Sequence, residues 1–258
     1  MGSSTSRDPG FFTRLLAASQ GATVPLLDAR AHAALSGGAL LAGERGHKVV
    51  GPWHLLLALL ALDEVEQALK QLGVLQAVKV LAFGKVEAIP RPRWRWGRTR
   101  YKDTSFISRG MMAAMSQGVK ATTPLHLLAG VALDDAVRAG LSSVEVDARA
   151  LALFERYGVD APRPDATLQN QDDAVLWLHN DDLTPMAFVQ AILEDVMHLP
   201  PQDAHATMQV VHTADRAPLG RMSTLEARLR GEAIMDAAWI QGYPLQCTWQ
   251  RPGREDHP

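Results

Sequence analysis

Apolar residues recur at three- and four-residue intervals over residues 29–42 and again over 107–117, the spacing of a helix with one buried face. A start signal and an apolar run follow each stretch. Gly51-Pro52 opens Trp53-His54-Leu55-Leu56, and Thr123-Pro124 opens Leu125-His126-Leu127-Leu128. Gly or Thr suits an N-cap, and Pro suits the first helical turn, where its missing N–H costs nothing. Shorter helical segments are expected at 64–72 and 134–141, and a last one at 146–157. The two stretches also align residue by residue: Lys48, Pro52, His54, Leu55 and Leu56 fall without a gap on Lys120, Pro124, His126, Leu127 and Leu128. Residues 23–160 therefore read as an all-α unit built twice.

Beyond Pro162 and Pro164 the pattern changes. Ala174-Val175-Leu176-Trp177-Leu178 is a short apolar run suited to a strand, and His179-Asn180-Asp181-Asp182-Leu183 is a polar corner. Thr184 as N-cap and Pro185 as first residue predict a helix over 185–197, with Phe188, Val189, Ile192, Leu193 and Val196 as its apolar stripe. Pro200 and Pro201 restart a second helix, which places Met208, Val211 and His212 on one face. Ser223 and Glu226 have capping-box spacing and open a third helix, ending at Gly242 before a strand near 245–249. This half is expected to be α+β, with a small antiparallel sheet and three helices. The divisions are a flexible tail at 1–22, a helical repeat domain at 23–160, a linker at 161–172 and the α+β domain at 173–258.

Composition narrows the function classes. A chain that is 47% hydrophobic and 21% charged, with formal net charge -2, is globular and offers no global field for nucleic acid or acidic surfaces. Cys247 is the only cysteine, so neither an intrachain disulfide framework nor a cysteine zinc site is expected, which fits a reducing cytoplasm. The longest largely apolar run, 53–62, is far below the roughly 20 residues of a membrane-spanning helix. Met1-Gly2-Ser3-Ser4-Thr5-Ser6 lacks an apolar signal core and matches only a loose myristoylation pattern. No cofactor is expected.

Three features leave alternatives open. His54 and His126 recur at equivalent positions, as helix-capping or packing histidines or as a metal pair. The segment 89–104, IPRPRWRWGRTRYKDT, alternates arginine with aromatics, which suits an exposed inter-repeat loop, base stacking or a membrane interface. His179, Asp181 and His212 could form a hydrolytic or metal site, although no nucleophile is marked.

The duplicated half resembles the Clp N-domain, the helical domain that precedes the ATPase modules of ClpA- and ClpC-type unfoldases. The resemblance spans residues 24–157 and is strongest over 46–60. No G-x-x-x-x-G-K-[ST] phosphate loop occurs, so the chain carries no such motor. The second half resembles ClpS adaptors. Asn180-Asp181-Asp182-Leu183-Thr184-Pro185-Met186-Ala187-Phe188 matches the family signature except at Leu183 and Ala187, and His212, Gly220, Pro244, Leu245 and Cys247 follow in ungapped register.

The resemblance implies a non-catalytic adaptor that binds the free α-amine and bulky first side chain of a substrate and delivers it to a Clp protease. It implies Asn180, Asp181 and His212 around the amine, and Thr184, Met186, Val189, Met208, Val211 and Leu245 around the side chain. It implies docking to an unfoldase through the third helix, where Arg230 is kept but Leu225 stands at the family's glutamate position. The expected partners are N-degron substrates and a ClpA- or ClpC-type unfoldase or the chain's own N-terminal domain, with neither membrane nor nucleic acid. A regulatory module that competes for Clp N-domain docking without degron recognition is the alternative.

Overall fold

The computed structural model describes residues 26–90, 99–101 and 103–253. The tail at 1–22 and most of the basic loop lie outside the described residues. The chain divides into two units, Met1–Glu155 and Arg156–Pro258.

In the first unit, β1 (Leu26–Leu27), α1 (Ala29–Glu44), β2 (Val49–Val50), α2 (Pro52–Leu59) and α3 (Asp63–Gln71) form one repeat with α4 (Leu75–Glu87). The second repeat comprises β3 (Arg100–Tyr101), α5 (Ser105–Ser116), β4 (Ala121–Thr122), α6 (Pro124–Ala132) and α7 (Asp135–Ser142), followed by α8 (Ala148–Tyr157), whose last two residues, Arg156 and Tyr157, belong to the second unit. The expectation missed α4. It also missed four two-residue strands, which pair across the repeats in parallel, β1 with β4 and β2 with β3. Each repeat thus lends its first strand to the other's second. Tyr101 sits in one of these ladders and donates its hydroxyl to the Leu35 carbonyl at 2.7 Å. That end of the expected exposed loop is built into the domain, and this tyrosine is not free to stack on a base.

The two equivalent histidines close their own helix starts. His54 Nδ1 accepts the Gly51 N–H at 3.1 Å, and His126 Nδ1 accepts the Thr123 N–H at 3.2 Å. An Nδ1 that accepts leaves the neutral ring's proton on Nε2. His54 Nε2 then donates to His47 Nδ1 at 2.9 Å, and His126 Nε2 donates to Gln117 Oε1 at 3.0 Å. Among the described residues no group of three His, Cys, Asp or Glu side chains could hold a metal ion.

Burial first, then the charges of His47 and Arg45, lower the His54 pKa from 6.5 to about 4. The unfolded chain takes up a proton below the ordinary histidine value, whereas the folded chain does not until about pH 4. Stability of this unit is therefore full above pH 6.5, falls as pH drops through that window and levels off below it. The loss is on the order of 3 kcal/mol at most. His54→Gln keeps a capping side chain but cannot titrate. Urea unfolding of the full chain followed by hydrogen exchange of α2 should show the slope in wild type and a flatter profile in the variant. Equal slopes would assign the effect elsewhere.

The second unit is a three-stranded antiparallel sheet, order β6-β5-β7, formed by β5 (Asp173–His179), β6 (Arg216–Ser223) and β7 (Gln246–Gln250). Ala174, Leu176 and Leu178 alternate into a core shared with α9 (Met186–Met197), α10 (Pro201–Ala214) and α11 (Thr224–Ile240). The other sheet face holds Trp177, with the Arg216 guanidinium 4.6 Å from its ring centre. The strand β6 was not expected, because Pro218 and Gly220 interrupt its pattern. Both sit at a bulge opposite Leu176 and Trp177 on an edge strand, where a missing N–H and a φ of 144° are tolerated. Ser223 caps α11 as expected, its Oγ accepting the Glu226 N–H at 3.3 Å. No helix among the described residues is long and apolar enough to cross a membrane.

Candidate functional site

The polar corner between β5 and α9 is organised by one carboxylate. Asp181 is buried, and its Oδ1 accepts the N–H groups of Leu183 and Thr184 at 2.8 and 2.7 Å. Its Oδ2 accepts the Thr184 hydroxyl at 2.7 Å. Thr184 is consequently not the N-cap of α9. Its hydroxyl is turned back to Asp181, and Pro185 occupies the N-cap without a side-chain bond. A carboxylate offers about four acceptor positions, so three protein donors leave one, on Oδ2. Desolvation raises the Asp181 pKa despite these bonds, and the neighbouring Asp182 charge adds to the rise.

Asn180, half-buried, is pinned through its backbone. Its N–H donates to the Asp215 carbonyl at 2.7 Å, and its carbonyl accepts the Tyr157 hydroxyl at 2.5 Å. Asp215 is the C-cap of α10 in the left-handed conformation, φ 65°, three residues after His212. The loop bearing Asn180 and Asp181 is thereby tied to the end of the helix that carries His212, an exposed residue.

The residues expected to surround a first side chain divide into two groups. Val189, Met208, Val211 and Leu245 belong to one buried cluster, all between 1% and 6% exposed. Thr184 is half-buried, and Met186 is 50% exposed at the start of α9. Arg230 lies on α11, bonded to Glu226 at 2.9 Å and to the Val196 carbonyl at 3.4 Å. Leu225 and Leu229 are exposed on the same helix. His179, placed with Asp181 and His212 in the hydrolytic reading, turns its Nε2 to Thr248 at 2.8 Å.

Four residues at this corner carried no expected role of their own. The Arg156 guanidinium binds Asp182 at 2.5 Å and also reaches Asp215, and Tyr157 holds the Asn180 carbonyl.

A family model described as ATP-dependent Clp protease adaptor protein ClpS matches residues 169–248. The chain is 32% identical to the ATP-dependent Clp protease adapter protein ClpS of Neisseria meningitidis serogroup B, covering 31% of this chain and 94% of that protein. The chain belongs to the ClpS family. The ClpS protein of Variovorax paradoxus is 35% identical, over 33% of this chain and 71% of its own length. The matched ClpS segment contains every residue of the corner except Arg156 and Tyr157. Among solved structures, Agrobacterium tumefaciens ClpS2 bound to L-phenylalaninamide aligns with TM-score 0.31 and 24% identity, covering 31% of this chain and 96% of that one. The Hsp104 N-terminal domain from Candida albicans aligns with TM-score 0.48 and 13% identity, covering 52% of this chain and 93% of that one. The chain is thus a ClpS-type Clp protease adaptor in its second half, joined to a duplicated helical unit.

Proposed function

We propose that this ClpS-type adaptor binds substrate proteins by a bulky hydrophobic first residue and its free α-amine, and passes them to a Clp unfoldase. The observation that carries the reading is Asp181, a buried carboxylate with one more acceptor position than the loop uses, beside Asn180. An α-ammonium is costly to desolvate without acceptors, and a charge-assisted hydrogen bond contributes about 1.5–3 kcal/mol. His212, on the helix whose C-cap receives the Asn180 N–H, supplies a further acceptor. Met186, Thr184, Val189, Met208, Val211 and Leu245 receive the side chain, whose burial adds roughly 1.5–3 kcal/mol. After the cost of association these terms give approximately micromolar affinity. Methionine at two of the six positions suits several side-chain shapes. The helical unit, Met1–Glu155, acts in this reading as a Clp N-domain that engages other Clp components.

A labelled peptide beginning with Leu, Phe, Trp or Tyr should bind the full chain with a free amine, and lose binding when N-acetylated or begun with Ala. Fluorescence anisotropy measures this directly. Indifference to acetylation would remove the amine reading. A second reading has its own observation: Leu225 is exposed where the family presents a glutamate, and Arg230 is occupied within its own helix. A regulatory module that occupies Clp docking sites without taking degrons fits that surface, and peptide indifference would favour it.

A further inference from the structure

The corner contains two acids that the amine reading does not use, Asp182 and Asp215, and both converge on one cation. Asp182 is buried, and Arg156 binds its Oδ1 at 2.5 Å. The other guanidinium nitrogen reaches Asp215, which closes α10 one turn after His212. Tyr157, the next residue, donates to the carbonyl of Asn180. Two neighbouring side chains thus grip the loop that carries Asn180 and Asp181, and one of them also grips the helix end that carries His212. Both lie in the same unit as the site and upstream of the stretch that the family model matches.

We propose that Arg156 and Tyr157 are positioning residues that hold the Asn180–Asp182 loop against the C-terminal end of α10 and so set the spacing of the amine-binding groups. Arginine suits the task because its planar fork has donors for two carboxylates at once, whereas a lysine is a single compact charge. A buried carboxylate that loses its counter-charge is strongly disfavoured, so removing Arg156 leaves the loop with a penalty it relieves by moving Asp182 toward water. Removing the Asp182 charge as well lifts that penalty. Tyr157 contributes one hydrogen bond to a carbonyl, a smaller effect that acts on the same loop.

The consequence for peptide affinity rests on the amine-binding reading above; the effect on the loop does not. Both are measured on the full chain with Arg156→Gln, Arg156→Lys, Tyr157→Phe, Asp182→Asn and the double variant Arg156→Gln/Asp182→Asn. Hydrogen exchange without peptide reads the loop through the Leu183 and Thr184 amides, which Asp181 holds. Anisotropy with a free-amine, Leu-first peptide reads the site. Arg156→Gln should raise exchange at both amides and weaken the peptide about tenfold or more, and the double variant should recover most of both losses. Arg156→Lys should fall between wild type and Gln, and Tyr157→Phe should cost roughly threefold.

Exchange and affinity within twofold of wild type in Arg156→Gln would overturn the proposal. So would a loss that Asp182→Asn fails to restore, because that is the mark of general destabilisation. If Arg156→Gln loosens the loop while wild type binds no free-amine peptide, the hold on the loop stands and the amine-binding reading falls.

Discussion

Gly130→Ala should unfold the first unit, a loss of more than about 3 kcal/mol from a single methyl group. A Cβ at this position would lie 2.0 Å from the Phe106 carbonyl oxygen and 2.7 Å from the Gly110 nitrogen. Both are backbone atoms of α5, so no side-chain rotation relieves the clash, and α5 and α6 must separate. Gly110 makes the reciprocal approach, since its Cβ would meet the His126 carbonyl oxygen at 2.5 Å. Separation exposes Phe106, Leu127 and Val131, each 0% exposed. The other repeat is an internal control. Ala58 stands where Gly130 does in the duplicated pattern, and its Cβ is accommodated 3.4 Å from the Cβ that Gly37 would carry. Ala58→Gly should therefore cost only about 1 kcal/mol of helix propensity. Thermal unfolding by circular dichroism, with hydrogen exchange of α5 and α6 on the full chain, separates the two variants. A Gly130→Ala protein that melts with wild type would mean the two helices do not approach this closely.

The duplication was legible because it is local and repeated. Lys48, Pro52 and His54 recur in register, and the proline and histidine of each copy form the observed helix starts. The helix α4 was not legible, because its apolar residues are spread around it and have no single face: Val78 and Val86 are buried, while Val80 and Phe83 are largely exposed. The β6 strand was hidden by Pro218 and Gly220, which local rules read as turn residues and which an edge bulge absorbs. At the site, the residues that the family signature carries lie at one corner, with Asn180, Asp181 and Thr184 in the loop and His212 near the end of α10.

Arg156 was invisible for a different reason. Its two acid partners are 26 and 59 residues away, and no periodicity connects positions so far apart. The usable signal was the second acid of the Asn180-Asp181-Asp182 run. Two adjacent carboxylates that follow an apolar strand cannot both be buried without a cation, and a basic residue had to be sought elsewhere in the chain.

Asp181→Ala should abolish free-amine peptide binding, while Asp181→Asn should weaken it by roughly tenfold to a hundredfold and leave the fold intact. The two substitutions separate the two tasks of this carboxylate. Alanine removes the acceptors of the Leu183 N–H, the Thr184 N–H and the Thr184 hydroxyl, so the corner loses its internal bonds as well as its charge. Asparagine keeps an oxygen for the two amides, and the Thr184 hydroxyl rotates to accept from the new NH2 group. What asparagine removes is the negative charge and the open acceptor position on Oδ2, the two features proposed to receive the ammonium. The stability effect has the opposite sign. Burial raises the Asp181 pKa, so ionising this carboxyl costs more in the folded chain than in the unfolded one. A neutral amide escapes that cost, and Asp181→Asn should melt at or above the wild-type temperature while binding more weakly. Anisotropy with a Leu-first peptide and thermal unfolding of the same samples give both signs together. Wild-type affinity in Asp181→Asn would transfer the amine contact to Asn180 and His212 alone. A clear fall in melting temperature would mean that the charge itself supports the loop, and the carboxylate would then be a structural anchor before it is a recognition group.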